Sequence, residues 1–259
     1  MDKVKTTSDY HVHCGQYFDN YYQPATIIKC LYNNGIKNAW ISSTTSCIDW
    51  SNSEEKEYLI NHVNDEIQEA VLTAKDLNMN LIPLYWVVPR RHMEGETIED
   101  ILINSYYKGF KIHTKVGEWQ FDTIDIMRLF EEVCLCAQKY NIPILIHTGV
   151  DSTDSPKRFE KFFAKYNSVK FVLAHCKDSE AIISILKKYN NVYGDISFCP
   201  EASFSKICEY GLKSRILFAT DFPVSHWIYK MSNKRLSEQI LSDFYRKNID
   251  EIERIFDKV

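Results

Sequence analysis

Eight short apolar segments alternate along this chain with longer amphipathic ones. The apolar segments are 9–14, 38–44, 80–88, 108–114, 142–149, 169–176, 191–198 and 215–223. Short apolar runs of this kind are typical of buried strands in a parallel sheet. The alternation therefore predicts a strand followed by a crossover helix, repeated eight times.

The intervening segments carry the spacing of helices that pack one face on a sheet. The clearest is 54–77, where apolar residues recur three and four positions apart. Segment 122–140 repeats the pattern. Further helices are predicted at 24–34, 97–106, 156–166, 178–189, 201–211, 234–245 and 247–257.

Length and composition favour one closed domain. A (β/α)8 barrel usually takes about 250 residues, and this chain has 259 with no Pro/Gly/Ser-rich linker. A doubly wound open sheet is the alternative for the same alternation. We therefore expect an α/β protein with a single (β/α)8 TIM-barrel domain over 1–259, with parallel strands inside and helices outside.

Charge and hydropathy exclude several classes of partner. A net charge of −4 gives no basic surface, so nucleic acid is not an expected partner. No apolar run approaches the roughly 18 residues of a membrane span, and the N-terminal segment lacks the apolar region of a signal peptide. We expect a cytoplasmic protein without a membrane partner, whose eight cysteines are buried free thiols rather than disulfides.

Polar residues follow or end six of the eight predicted strands. They are His11 and His13, Lys111 and His113, His147, His175, Asp195, and Asp221. His11 and His13 share one face, because side chains two apart on a strand point the same way. A single histidine at a strand end is more often a hydrogen-bonded rim residue than a ligand. In a (β/α)8 barrel, however, the carboxyl ends of all strands meet at one face.

The residue types at that face predict a metal site. Imidazole and carboxylate suit zinc, and also manganese, iron or nickel. A catalytic metal lowers the pKa of a bound water to roughly 7, and a nearby carboxylate can accept the proton. Asp221, before a loop marked by proline, is the candidate for that role.

The sequence motifs of these strands resemble those of a known family. The motifs "GFKIH", "PILIHTG", "FVLAHC", "VYGDIS" and "ILFATDFP" follow an H-x-H pair in order. Together they resemble the amidohydrolase superfamily, and in particular its amidohydrolase-2 branch of metal-dependent TIM-barrel enzymes. The resemblance spans the chain from Asp9 to Phe256.

The resemblance implies a ligand set and catalytic roles. A primary divalent metal, with zinc expected and one or two ions in all, would be bound by His11, His13, His147 and Asp221. His175 would bind a second metal or polarise the substrate or the bound water, so His175 and Asp221 would be the catalytic residues. Asp221 would also shuttle the proton.

The fourth-strand residues leave two alternatives open. Lys111 stands where some relatives use a carboxylated lysine to bridge two metals, and an unmodified lysine in a charge pair is the other reading. His113 is expected either to take part in the bridge or to support the ligands.

The branch contains hydrolases of lactones and esters and also nonoxidative decarboxylases of aromatic acids. We expect a metal-dependent hydrolase that acts on a small ester, lactone or amide bearing a carboxylate, with a decarboxylase as the alternative. A phosphoesterase is disfavoured by Lys111 in place of a glutamate. The expected partner is a small-molecule substrate, and a homo-oligomer is compatible with the sequence.

Candidate substrate-binding residues follow the same strands. Arg90 could hold a substrate carboxylate through a bidentate guanidinium, although a solvated turn explains it equally. Aromatic residues, among them Tyr17, Trp119 and Trp227, could line an apolar pocket or merely pack the loops.

Overall fold

The computed structural model describes residues 6–93, 95, 97–103, 105–116, 119, 121, 123–224 and 238–257. The chain forms two compact units, residues 1–83 with 218–259, and residues 84–217. Each unit is described by itself, and the single domain over 1–259 stays a prediction.

The described strands and helices follow one another in the order that the alternation predicts. In chain order they are β1 (Ser8–Tyr17), β2 (Asn20–Tyr22), α1 (Pro24–Asn33), β3 (Asn38–Ser43), α2 (Ser53–Asp76), β4 (Asn80–Trp86), α3 (Pro89–Met93), α4 (Ile98–Ile103), β5 (Gly109–Ile112), α5 (Ile124–Tyr140), β6 (Ile144–His147), α6 (Glu160–Lys165), β7 (Phe171–Ala174), α7 (Ser179–Lys188), β8 (Val192–Asp195), α8 (Glu201–Glu209), β9 (Ile216–Leu217) and α9 (Glu238–Asp257). Short 3₁₀ turns lie at Thr44–Cys47, Pro156–Phe159 and Lys213–Arg215.

The first unit is built on β1. This strand pairs in parallel with β3 and antiparallel with β2, and β3 pairs in parallel with the first residues of β4. The segment after β9 also runs parallel to β1, because Tyr10 N–H donates to the Phe218 carbonyl (3.1 Å) and His13 N–H to the Phe222 carbonyl (2.7 Å). Apolar residues of β1, β3, α1, α2 and α9 form the core of this unit.

The second unit is a run of parallel strands in the order β4-β5-β6-β7-β8-β9. Helices α5 and α7 each bury one apolar face, as their spacing predicts. Asp178 caps α7, its carboxylate accepting the Ala181 N–H at 3.1 Å. Because the strands are parallel, their carboxyl ends lie along one edge of this unit's sheet.

One local prediction was wrong, and one strand and one helix were not predicted. The segment 20–22, which lies between a predicted strand and a predicted helix, is strand β2, which forms a hairpin with the end of β1. The predicted break between 245 and 247 is absent, because α9 runs through it as one helix; residues 234–237 lie outside the described part. The short helix α3 was not predicted.

All eight cysteines are free thiols, as predicted, and six of them are buried. Burial raises the pKa of Cys30 and of Cys199 to about 12 in each case. Such thiols behave as small apolar side chains. Among the described residues, no helix combines the length and apolar character needed to cross a membrane.

Candidate metal centre

Three predicted ligands converge in the first unit. His11 Nε2 lies 3.2 Å from His13 Nε2. Asp221 Oδ1 lies 3.3 Å from His11 Nε2 and 2.9 Å from His13 Nε2. All three residues are buried, so their polar atoms face one another in a place that bulk water hardly reaches.

The strand β1 and the segment after β9 bring these groups together. His11 and His13 lie two apart on β1, and Asp221 N–H donates to the His11 carbonyl at 2.8 Å. Asp221 has φ of +56°, a left-handed conformation that is uncommon for a residue other than glycine. Unusual backbone of this kind is typical of functional sites.

Ser42 orients the His13 ring through contacts with Nδ1, the nitrogen that faces away from His11 and Asp221. This nitrogen lies 3.0 Å from Ser42 Oγ and 3.3 Å from the Ser42 carbonyl. Since a carbonyl can only accept, the proton sits on Nδ1 and the Nε2 lone pair faces His11 and Asp221. A histidine that binds a metal almost always donates its other N–H to such a partner.

Asp9, which was not predicted as a site residue, contacts the backbone of both segments that carry the three ligands. Its carboxylate is fully buried and accepts the His11 N–H (3.2 Å), the Thr220 N–H (3.1 Å), the Thr220 hydroxyl (2.6 Å) and the Tyr245 hydroxyl (2.8 Å). Burial raises the pKa of Asp9 to about 6, although the hydrogen bonds from Thr220 and Tyr245 oppose the rise.

The three side chains fit a divalent metal by their chemistry and spacing. Two imidazole nitrogens and a carboxylate oxygen form a group of ligand atoms within 4.8 Å of one another. Ligands of one tetrahedral zinc, bound at about 2.0–2.1 Å, stand about 3.4 Å apart. The separations here are close to that value, so only small shifts would bring all three atoms to one ion.

The predicted ligands of the second unit form their own pair. His147 ends β6 and His175 follows β7, and His147 Nδ1 lies 3.0 Å from His175 Nε2. His175 Nδ1 lies 2.9 Å from Ser197 Oγ and 3.0 Å from the Ser197 carbonyl. Asp195 accepts hydrogen bonds from the Ser197 hydroxyl (2.5 Å) and from the backbone N–H of His175 (3.0 Å). Asp195 therefore fixes both the backbone of His175 and the serine that contacts its ring.

Lys111 and His113 lie at the carboxyl end of β5 in the same unit. Lys111 is buried, and its ammonium nitrogen is 5.7 Å from the centre of the Trp86 ring. The His113 ring stacks between Trp86 (5.7 Å, 8°) and His147 (3.9 Å, 14°). His113 thus supports a predicted ligand, and the two alternatives for Lys111 stay predictions.

The candidate substrate-binding residues differ in how exposed they are and in what they contact. Arg90 lies on α3 and is partly exposed, whereas its neighbour Arg91 is buried with its guanidinium 5.5 Å from the Tyr85 ring. Tyr17 ends β1 and packs on the core of the first unit. Trp119 is buried and donates its indole N–H to the Val87 carbonyl (3.3 Å). Their binding roles stay predictions; Trp227 lies outside the described residues.

Glu66 is a second buried carboxylate that was not predicted from the sequence. It accepts the Ser43 hydroxyl (2.5 Å) and the Thr45 hydroxyl (2.8 Å), and its Oε1 lies 3.3 Å from His62 Nε2. Ser43 adjoins Ser42, so Glu66 ties helix α2 to the backbone that orients His13. The spacing of His62 and Glu66, four apart on a helix, was the available signal.

A family model described as amidohydrolase matches residues 51–249. The chain belongs to the amidohydrolase family. The match begins after His11 and His13 but includes His147, His175 and Asp221. The chain is therefore a member of an enzyme family, and its His/Asp group suits a divalent metal. No curated protein matches its sequence.

Several solved structures share the fold of this chain at low sequence identity. They include 2,6-dihydroxybenzoate decarboxylase complexed with 2,6-dihydroxybenzoate (TM-score 0.53, 12% identity, 98% of each chain covered). Another is 4-oxalomesaconate hydratase from Rhodopseudomonas palustris (0.56, 11%, 98% of this chain and 97% of that chain). A third is an uncharacterized TIM-barrel protein from Bordetella bronchiseptica (0.54, 13%, 97% and 99%). The predicted α/β TIM-barrel class is confirmed.

Proposed function

We propose that this protein is a zinc-dependent hydrolase of a small ester, lactone or amide that bears a carboxylate. The observation that carries the proposal is the convergence of His11 Nε2, His13 Nε2 and Asp221 Oδ1 within 3.3 Å of one another. The family description supports hydrolysis. That His147 and His175 join the ligand set remains a prediction from the sequence.

The metal would supply one piece of chemistry, a coordinated water whose pKa falls to about 7. Asp221, whose Oδ1 lies beside both histidines, would accept a proton at this site and return it to the leaving group. His13 is held in the tautomer that presents Nε2, because the Ser42 carbonyl accepts a hydrogen bond from the Nδ1–H group. Two neutral imidazoles and one carboxylate would hold a divalent ion with a net positive charge, and that charge would favour an oxyanion.

His175 and Arg90 complete the proposed roles. His175 polarises the substrate carbonyl with a ring whose orientation is fixed by the contacts of its Nδ1 with Ser197. Arg90 binds the substrate carboxylate through its guanidinium.

The alternative is a decarboxylase of an aromatic or unsaturated acid on the same residues. It is supported by the similarity in fold to 2,6-dihydroxybenzoate decarboxylase, which covers 98% of this chain. In that case the same metal would bind the substrate carboxylate, and Asp221 would deliver a proton to the ring carbon instead of a leaving group.

Metal content is the first test. Elemental analysis of the purified protein, after incubation with zinc and removal of the excess, should find bound zinc in the wild type. The substitutions His13→Ala and Asp221→Ala should each lose it. His62→Gln is the control, because His62 is partly exposed and pairs with Glu66 rather than with the three ligands. A wild type without zinc, or variants that retain it fully, would overturn the proposal.

A substrate panel then separates the two reactions. Esters, lactones and amides, each with and without a carboxylate, are assayed by acid release, and aromatic acids by release of carbon dioxide. We expect acid release from the carboxylate-bearing compounds and none from Asp221→Ala. Carbon dioxide release without hydrolysis would support the decarboxylase.

A further inference from the structure

Asp154 is a buried acid beside His147 for which the sequence pattern gives no role. It lies in the loop after β6 and is 2% exposed. Its Oδ2 is 4.0 Å from His147 Nε2. Both residues belong to the same compact unit.

The position of this carboxylate is fixed by its own loop. Asp154 Oδ1 accepts the Asp151 N–H (2.9 Å), and the Asp154 carbonyl accepts the Gly149 N–H (2.9 Å). Lys115 places its ammonium 2.9 Å from Oδ2. A Cβ on Gly149 would overlap the Asp154 carboxylate, so glycine is needed for the acid to approach the strand end so closely.

The His147 ring is also confined on its other sides. Its Nδ1 lies 3.0 Å from His175 Nε2, and one face is covered by the parallel ring of His113 at 3.9 Å. Ser197 engages Nδ1 of His175, which leaves the His175 Nε2 lone pair directed at His147. The Asp154 carboxylate is an anionic group beside His147 Nε2, and its charge favours a proton on that nitrogen.

We propose that Asp154 is a positioning residue for His147. Its carboxylate keeps the His147 ring proton on Nε2, so that Nδ1, beside His175 Nε2, is the atom that binds the metal. This inference rests on the proposed function, in which His147 serves a divalent ion. At 4.0 Å the contact is electrostatic, and one bridging water or a small side-chain movement makes it a hydrogen bond. Carboxylates that orient a liganding imidazole in this way are a general feature of metal sites.

If Asp154 only stabilised the turn, its Oδ1 would matter and the charge near its Oδ2 would not. The turn contact uses Oδ1, which an asparagine oxygen reproduces, whereas the contact with His147 requires the charge near Oδ2. Asp154→Asn therefore keeps the turn and removes the charge. Asp151→Asn is the matched control, since Asp151 contacts the same lysine (2.6 Å) but its side chain is exposed.

Two measurements test the inference. Imidazole ¹⁵N shifts of the metal-free protein report the His147 tautomer, and competition with a chromophoric chelator reports zinc affinity. In the wild type we expect the proton on Nε2. Asp154→Asn should populate both tautomers and lower zinc affinity about 10–100-fold, whereas Asp151→Asn should match the wild type. Asp154→Asn with unchanged tautomer and affinity would overturn the inference, as would equal effects of both substitutions.

A second variant tests the inference in case Asp154→Asn does not fold. In that case, Lys115→Met should keep the His147 proton on Nε2, because loss of the ammonium leaves the Asp154 charge uncompensated beside that nitrogen; a shift of the proton to Nδ1 would overturn the inference. If the wild type binds no zinc, the proposed function fails, yet the tautomer of the metal-free protein still tests Asp154. The two failures are thus distinguishable.

Discussion

The Tyr245 hydroxyl donates a hydrogen bond to Asp9 Oδ2 at 2.8 Å, and neither side chain is exposed. Tyr245 lies on α9 and Asp9 on β1, the strand that carries His11 and His13. Burial raises the Tyr245 pKa well above its usual value, and the neighbouring Asp9 carboxylate raises it further. The hydroxyl therefore stays protonated and acts as a donor.

Tyr245→Phe removes one donor from this buried carboxylate and leaves the packing of the ring intact. A hydrogen bond to a charged group contributes about 1.5–3 kcal/mol, and we expect the free energy of unfolding, measured by urea denaturation, to fall by about that amount. Tyr32→Phe on the exposed side of α1 is the control and should change it by less than about 0.5 kcal/mol. Equal values for the two variants would contradict the role of the bond.

Gly15→Ala tests the close packing at the end of β1. Gly15 has φ of +88°, and an added Cβ would lie 2.5 Å from Thr45 Oγ1 and 2.9 Å from Glu66 Oε2. Gly211 also has a positive φ (+73°) but nothing within 4 Å of such a Cβ. Gly211→Ala should therefore cost only the left-handed backbone, about 1–2 kcal/mol. Gly15→Ala should cost about 1–3 kcal/mol more, from overpacking; thermal or urea unfolding that finds the two costs equal would rule out the clash.

Glu66→Ala tests the buried carboxylate on α2. The substitution leaves the Ser43 and Thr45 hydroxyls without their acceptor and opens space beside them. We expect the free energy of unfolding to fall by about 2–4 kcal/mol. Asp65→Ala, one residue earlier on the exposed face of the same helix, should have little effect. A stable Glu66→Ala protein would show that Ser43 and Thr45 find other acceptors.

The strands could be predicted from the sequence because their signals are local. Apolar runs of four to eight residues predict strands, and the alternation within β1 places His11 and His13 on one face. The break predicted between 245 and 247 was wrong, because α9 passes through it as one helix. Tertiary packing decided this case, because Tyr245 and Ile249 are both buried in the core of the first unit.

The supporting carboxylates could not be read in the same way. Asp9 meets Thr220 and Tyr245, which lie 211 and 236 residues away. Glu66 meets hydroxyls 21 and 23 residues earlier, and without these contacts it is one more acidic residue on a charged helix. Burial of a charge depends on partners that only the fold supplies, so the spacing of His62 and Glu66 indicates a pair on α2 but not that the carboxylate is buried.

Zinc should stabilise the folded protein if the three ligands bind it. At a free concentration of about 100 times the dissociation constant, binding to the folded state alone adds about 2.7 kcal/mol, which corresponds to a rise in Tm of about 5–10 °C for a chain of this size. Differential scanning fluorimetry with zinc, and then with excess chelator, should show the rise and its reversal. Magnesium, which prefers oxygen ligands, should give no comparable rise, and His11→Ala should remove the response to zinc because it deletes one of three converging atoms. A zinc response of the same size in His11→Ala would locate the binding elsewhere on the chain.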